Sequence, residues 1–187
     1  MNNLIVTLGA VNGVHTWQHK VHEDARGKLS KVYVLDSEEL GNMPFQTFEH
    51  FFTFSKKNVF RGMHLQSGIH PSAKIVSIVA GSATDFLLDL RPKSSSFGRL
   101  EIETLTDLIP KSVYIPAGVA HGYISNSENT IFSYRYESAF CPQCDSGINP
   151  KIIERYTNFK FIDLILSDRD RIMTENVDEA NHSRSHI

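Results

Sequence analysis

Long apolar runs are missing from this sequence. Its most continuous apolar stretch, Ile75 to Ala80, is broken by Ser77 and falls far short of the roughly 18 residues that a membrane-spanning helix needs. Leu4 to Val6 follows no basic residue and precedes no convincing cleavage site, so no export signal is expected. An excess of one charge is missing too. Nineteen Lys and Arg stand against 21 Asp and Glu, a net of -2, which gives no global pull toward nucleic acid or an anionic membrane. Cysteine is scarce. Cys141 and Cys144 cannot build a disulfide framework, which agrees with a reducing, cytoplasmic setting. Internal repeats and linkers are absent, and helical periodicity is thin.

What is present is an ordinary globular composition, 41% hydrophobic and 21% charged over 187 residues, enough for one domain, 1–187, with its own core. Runs rich in β-branched and aromatic residues alternate with period two at 28–35, 47–55, 58–66, 73–79, 84–90, 100–105, 112–115, 121–125 and 129–136. Turn residues separate them at 80–82, 91–96, 108–110 and 126–129. Many short strands at such spacing predict an all-β jelly-roll barrel. A few short helices are expected, one starting near Asp36 or Ser37 and one over 167–173. The polar, aperiodic segment after Met173 reads as a disordered C-terminal tail.

Three segments carry chemistry. In a strand Phe60 to Gln66, alternation puts Phe60, Gly62, His64 and Gln66 on one face and Arg61, Met63 and Leu65 on the other; Gly62 marks close approach of a ligand or another backbone. Tyr114 to Tyr123 (YIPAGVAHGY) has a Pro-x-Gly turn returning into a strand that carries His121, the form of the second half of a cupin metal motif. The first half would need His-x-His and a Glu, whereas Gln66 follows His64 by two, so no metal is assigned. In the strand 129–136, Phe132, Tyr134 and Tyr136 share a face, and a tyrosine turned into a barrel must hydrogen-bond or serve chemistry. The Cys-x-x-Cys spacing at 141–144 fits half a zinc site or a redox pair, but it follows a strand in an all-β chain. It is read as two loop thiols without a function.

The ordered set Asp24 to Gly27, Val59 to Gln66 (VFRGMHLQ), Lys74 to Val76, Gly81 and Asp85, Asp89 to Arg91, Ser95 to Gly98, Ile115 to Tyr123, Tyr134 and Leu166 to Asp170 resembles the dTDP-4-dehydrorhamnose 3,5-epimerase family of cupin-fold nucleotide-sugar epimerases. The resemblance implies inversion at C3, C5 or both of a nucleotide-linked 4-keto-6-deoxy sugar, without cofactor or metal, through an enolate. It implies His64 as base, Tyr134 as acid, Asp170 as the carboxylate that orients the imidazole, and Lys74 as the cation for the enolate oxygen. His121 would line the sugar pocket. Arg26, Arg61 and Arg169 match positions that hold a diphosphate, and Asp145 matches a usual Glu. A homodimer with strand exchange at the N-terminal edge is also implied.

The sequence departs from the family pattern on the nucleotide side. Glu49, Phe51 and Thr53 stand where Gln-x-Asn-x-Ser is usual, Lys28 to Lys31 replaces an aromatic-rich run ending in Glu, and Phe140 stands where Tyr is common. The catalytic set is intact, so epimerase chemistry is better marked than the base or the sugar. The alternatives are a metal-dependent cupin using His64, His70 and His121, a non-catalytic nucleotide-sugar binding protein, and a 3,4-ketoisomerase. A mere binder has no use for an acid opposite a base.

Overall fold

The computed structural model describes residues 6–32 and 45–176. Two antiparallel sheets pack face to face as a jelly roll. The first has six strands in the order β1 (Val6–Leu8), β2 (His15–Gln18), β10 (Lys111–Ile115), β7 (Lys74–Ala80), β12 (Thr130–Tyr136) and β5 (Glu49–Ser55). The second has five: β13 (Asp145–Gly147), β6 (Phe60–Gln66), β11 (Val119–Ser125), β8 (Ser82–Asp89) and β9 (Leu100–Thr106). A separate hairpin, β3 (Lys20–Asp24) and β4 (Gly27–Lys31), is exposed along both strands.

Period-two alternation explains the layering. Val76, Ile78, Val113, Phe132 and Tyr134 from the first sheet meet Ala83, Leu87, Val119 and Tyr123 from the second in one buried cluster. The alternate residues of the second sheet, Phe86, Leu88, Ala120 and Ile124, point the other way. They are covered by Ile148, Ile152 and Ile153, with Phe159, Phe161 and Leu164 packed alongside. Burial on both faces is why β11 is buried throughout although it contains His, Gly and Ser.

The covering segment also carries Arg169 and Asp170. A 3-10 helix, Pro150–Arg155, starts at Asn149, whose side chain caps the first turn. The chain then returns as a strap over the start of β6: Ile165 N–H donates to Asn58 O at 2.9 Å and Phe60 N–H to Ile165 O at 2.9 Å. It ends in α1 (Asp168–Ile172), capped by Ser167 and held by Asn149 Nδ2 on Arg171 O at 2.9 Å. The predicted 167–173 helix is thus found, whereas the one near Asp36 lies outside the described residues, as does most of the expected tail.

One face assignment needs correction. Arg61 to His64 on β6 opposes Tyr123 to His121 on β11, three steps against two, so β6 carries one extra residue at a β-bulge. Parity flips there: Phe60 joins Met63 and Leu65 in the cluster behind the sheet, while Arg61 and His64 both line the cavity in front. Gly62 has φ +126°, and a Cβ placed on it would sit 2.5 Å from Gly122 Cα and 2.6 Å from His121 O. The close approach expected at Gly62 is therefore to backbone, not to a ligand.

Candidate active site

A cavity of about 480 Å³ opens between the sheets, lined by β5, β6, β7, β11, β12 and the C-terminal strap. His64, Lys74, His121, Tyr134, Arg61, Arg169 and Asp170, all singled out in the sequence, line it together. A second chamber of about 340 Å³ shares Phe51, His64, Tyr136 and Arg169 with the first and adds Glu49, Gln66, Phe140 and Asp145. Only Arg26 is not brought to either chamber. It lies exposed at the β3–β4 turn, paired with Asp24 at 2.6 Å.

His64 Nε2 lies 2.6 Å from Asp170 Oδ1, the His side chain 31% exposed and the Asp 4%. Burial alone would raise the Asp170 carboxyl, but the His64 hydrogen bond and charge, with further donation from Ser167 and Gly62, hold it below the usual carboxylate range. The pair therefore has an ionised carboxylate that fixes one ring nitrogen and leaves Nδ1 to meet a ligand.

Tyr134 is buried, stacked on Phe51 at 5.1 Å and edge-on to His121 at 5.7 Å. Burial, reinforced by neighbouring Tyr123 and Tyr136, pushes its hydroxyl well above the usual phenol range, so it stays protonated. Tyr123 differs: its hydroxyl is already satisfied by Thr53 Oγ1 and Ser55 Oγ, each at 2.8 Å. No described residue hydrogen-bonds the Tyr134 hydroxyl, which leaves it as the phenol open to a ligand in the cavity.

Lys74 is buried, its Nζ donating to His64 O at 3.2 Å and sitting 5.1 Å from the Tyr136 ring centroid. Its side chain lines the cavity. His121 Nε2 lies 2.7 Å from Asp85 Oδ1 in full burial. Burial is the leading influence on both, lowering His121 and raising Asp85 against their mutual attraction, and Asp85 Oδ2 has no partner. Burial thus works toward the uncharged form of each group, and their mutual attraction works against it. Arg61 is aimed by Nε on Ser55 Oγ at 3.0 Å and Nη2 on Phe54 O at 3.2 Å. Arg169 meets Asp145 at 2.6 Å.

The three-histidine metal alternative fails on placement, because His70 is exposed beyond the end of β6 and lines neither chamber. Among the described residues no three His, Cys, Asp or Glu side chains are grouped to hold a metal ion. The reading of Cys141 and Cys144 as two thiols is also corrected: they form a disulfide, with Cα atoms 5.1 Å apart. Sequence reasoning set Phe51 on the nucleotide side and Tyr136 on the face of Tyr134 without naming either as a cavity wall, and it missed Asp85 as the partner of His121. The inward parity of Glu49, Phe51 and Thr53 on β5, and of Tyr136 beside Tyr134, was the available signal.

A jelly-roll barrel holding a carboxylate-bound imidazole, a protonated phenol and a buried ammonium in one cavity defines a cupin-type site for acid–base chemistry on a small ligand. A sequence model of the family described as dTDP-4-dehydrorhamnose 3,5-epimerase matches residues 9–177. The dTDP-4-dehydrorhamnose 3,5-epimerase of Salmonella typhimurium is 31% identical over 146 residues, 78% of this chain and 80% of that one. The dTDP-4-dehydrorhamnose 3-epimerase of Streptomyces niveus is 27% identical over 163 residues, 86% of this chain and 78% of that one. The crystal structure of dTDP-4-dehydrorhamnose 3,5-epimerase from Elizabethkingia anophelis superposes with TM-score 0.85 at 26% identity, covering 96% of this chain and all of that one. The chain belongs to this family of sugar epimerases and is an isomerase.

Proposed function

We propose that this protein inverts C3, C5 or both in a nucleoside-diphosphate-linked 4-keto-6-deoxy sugar, with His64 as base and Tyr134 as acid. The observation that carries the reading is that the His64–Asp170 pair and the unengaged Tyr134 hydroxyl line the same cavity. His64 Nδ1 takes the proton from carbon next to the ketone. The C–H electron pair moves into the C4 carbonyl, and the enolate oxygen is met by the Lys74 ammonium. Tyr134 then donates its proton to the opposite face of that carbon; the phenolate is reprotonated from water and the imidazolium returns its proton to water. Asp170 supports the imidazolium, and His121, held by Asp85, orients the sugar.

Arg61 and Arg169 bind the diphosphate, and Glu49, Asp145 and the aromatic rings of the second chamber face the nucleoside. Supporting this division, the cations sit in the catalytic cavity and at the boundary between the chambers. The reading needs no metal and no redox cofactor. The test is incubation with dTDP- and GDP-linked 4-keto sugars in heavy water. Deuterium at C3 or C5 is expected, and its absence with every such sugar, or its persistence in full after His64→Ala, overturns the reading.

The whole chain serves as one domain, and the protein works as a cytoplasmic homodimer. Among the described residues no helix is long and apolar enough to cross a membrane. Phe52, Phe54 and Val79 are exposed on the outer face of the six-stranded sheet, which ends at the edge strand β5, an apolar face of the kind a subunit contact covers. The hairpin beside it carries Arg26, and a second copy would bring that cation to the neighbouring cavity. Sedimentation at micromolar concentration tests this, with a monomer overturning it.

A further inference from the structure

The proposed epimerisation leaves the Cys141–Cys144 disulfide unused, and its surroundings tie it to the second chamber. Phe140, which precedes it, and Asp145, which follows it, both line that chamber. Phe140 N–H donates to Glu49 Oε2 at 3.2 Å. Gln66, buried at the end of the strand that carries His64, grips the segment from both sides. Its Oε1 accepts Cys141 N–H at 2.7 Å, and its Nε2 donates to Ser138 Oγ at 3.0 Å and Ala139 O at 3.4 Å. Ser67 N–H donates to Cys144 O at 2.8 Å, and Asp145 holds Arg169. A four-residue covalent ring thus joins one wall of the chamber to the carboxylate that positions its arginine.

Resting on the reading of that chamber as a ligand site, we infer that Cys141 and Cys144 are a reversible thiol–disulfide site, exchanging with a dithiol reductant, whose oxidation state sets the shape of the chamber. Access is asymmetric: Cys144 is buried, while Cys141 is half-buried beside the exposed Pro142 and Gln143. A reductant thiolate attacks Cys141 Sγ, and the S–S electron pair leaves on Cys144, which takes a proton. The second thiol of the reductant then attacks its own sulfur in the mixed disulfide, releasing Cys141 as thiol and the reductant as a cyclic disulfide. Two electrons and two protons pass to the protein. Without the covalent link, Cys144 N–H and Asp145 N–H on Cys141 O, at 2.9 and 3.0 Å, still close the turn but no longer tie Cys141 covalently to Cys144. In a reducing compartment a disulfide is typically transient and redox-sensing, which suits a two-state element beside a binding site.

The experiment uses the full chain after oxidation by diamide or reduction by dithiothreitol, with alkylation mass to count thiols. Expected are no alkylated thiols in the oxidised protein and two in the reduced one. Hydrogen exchange over 139–149 should quicken at least tenfold on reduction. Affinity for dTDP, used as probe, should fall at least fivefold, and Cys141→Ala should match the reduced protein under both conditions. Unchanged exchange between the two states overturns the proposal, as does a dTDP affinity that is measurable and equal in both. If dTDP binds in neither state, the reading of the chamber as a nucleotide site fails, and hydrogen exchange alone decides the redox site.

Discussion

His64 Nε2 and Asp170 Oδ1 lie 2.6 Å apart across 106 residues of chain, one on a central strand and the other on a five-residue helix that the C-terminal strap carries to the cavity mouth. The hydrogen bond to the carboxylate fixes the orientation of the ring. His64→Ala should lower kcat by about 10²–10⁴-fold, the range for a general base, and Asp170→Asn should lower it by about tenfold or more with KM little changed. Steady-state kinetics on a 4-keto nucleotide sugar measures both.

Tyr134→Phe should separate proton removal from proton return. Product with inverted configuration should fall by about 10²–10⁴-fold, while deuterium from solvent still enters recovered substrate, because His64 can return a proton to the face it came from. Equal loss of exchange and inversion would assign Tyr134 to the first step instead.

Arg61 is held by Ser55 Oγ and Phe54 O, so its guanidinium is aimed before ligand arrives. Arg61→Gln should raise KM about tenfold or more and leave kcat within about threefold, the pattern for binding shared by ground and transition states.

Much of this architecture is legible in the sequence, and the exceptions have causes. β5 to β12 alternate apolar and polar residues against a buried face, and period two finds them. β3 is exposed along its length, and β1 and β13 are three residues each, so none offers a contrast between faces. His64, His121 and Tyr134 stand in segments whose alternation and chemistry single them out, whereas Lys74 takes its role from the resemblance alone. Asp170 is recognisable only through resemblance, since nothing local in Leu166 to Asp170 says that a strap will bring it to His64. The face of Phe60 was misassigned because alternation cannot register a bulge, which depends on the partner strand as much as on β6 itself.

Gly62→Ala should disrupt that bulge. Positive φ at this residue and the two backbone atoms within 2.6 Å of a new Cβ predict a loss of at least about 2 kcal/mol, read by urea denaturation. A variant as stable as the wild type would show that β11 can move aside.

Acid stability should depend on His19. Burial, helped by Arg135, lowers it from 6.5 to about 4, and its ring nitrogens meet Ser30 Oγ at 3.0 Å and Ser112 Oγ at 2.7 Å. As pH falls below 6.5 the unfolded chain takes the proton first, so the neutral ring's contribution is complete above that pH and lost between 6.5 and 4. The shift corresponds to roughly 3 kcal/mol. Urea midpoints should drop across this window, and His19→Gln should flatten the drop.

The extra residue in β6 makes the strand a spacing device. A regular strand shows one face every second residue, so two side chains aimed the same way stand an even number of positions apart. Here Arg61 and His64, three apart, point into one cavity. Deleting one residue between them would make the hydrogen-bond ladder more regular and leave the two side chains on one face, but two positions apart, with Arg61 and His64 brought closer together along the strand. The bulge therefore sets how far apart Arg61 and His64 stand in the cavity, and the positions to vary in an attempt to retune substrate reach are those that set the count between them, not the side chains themselves.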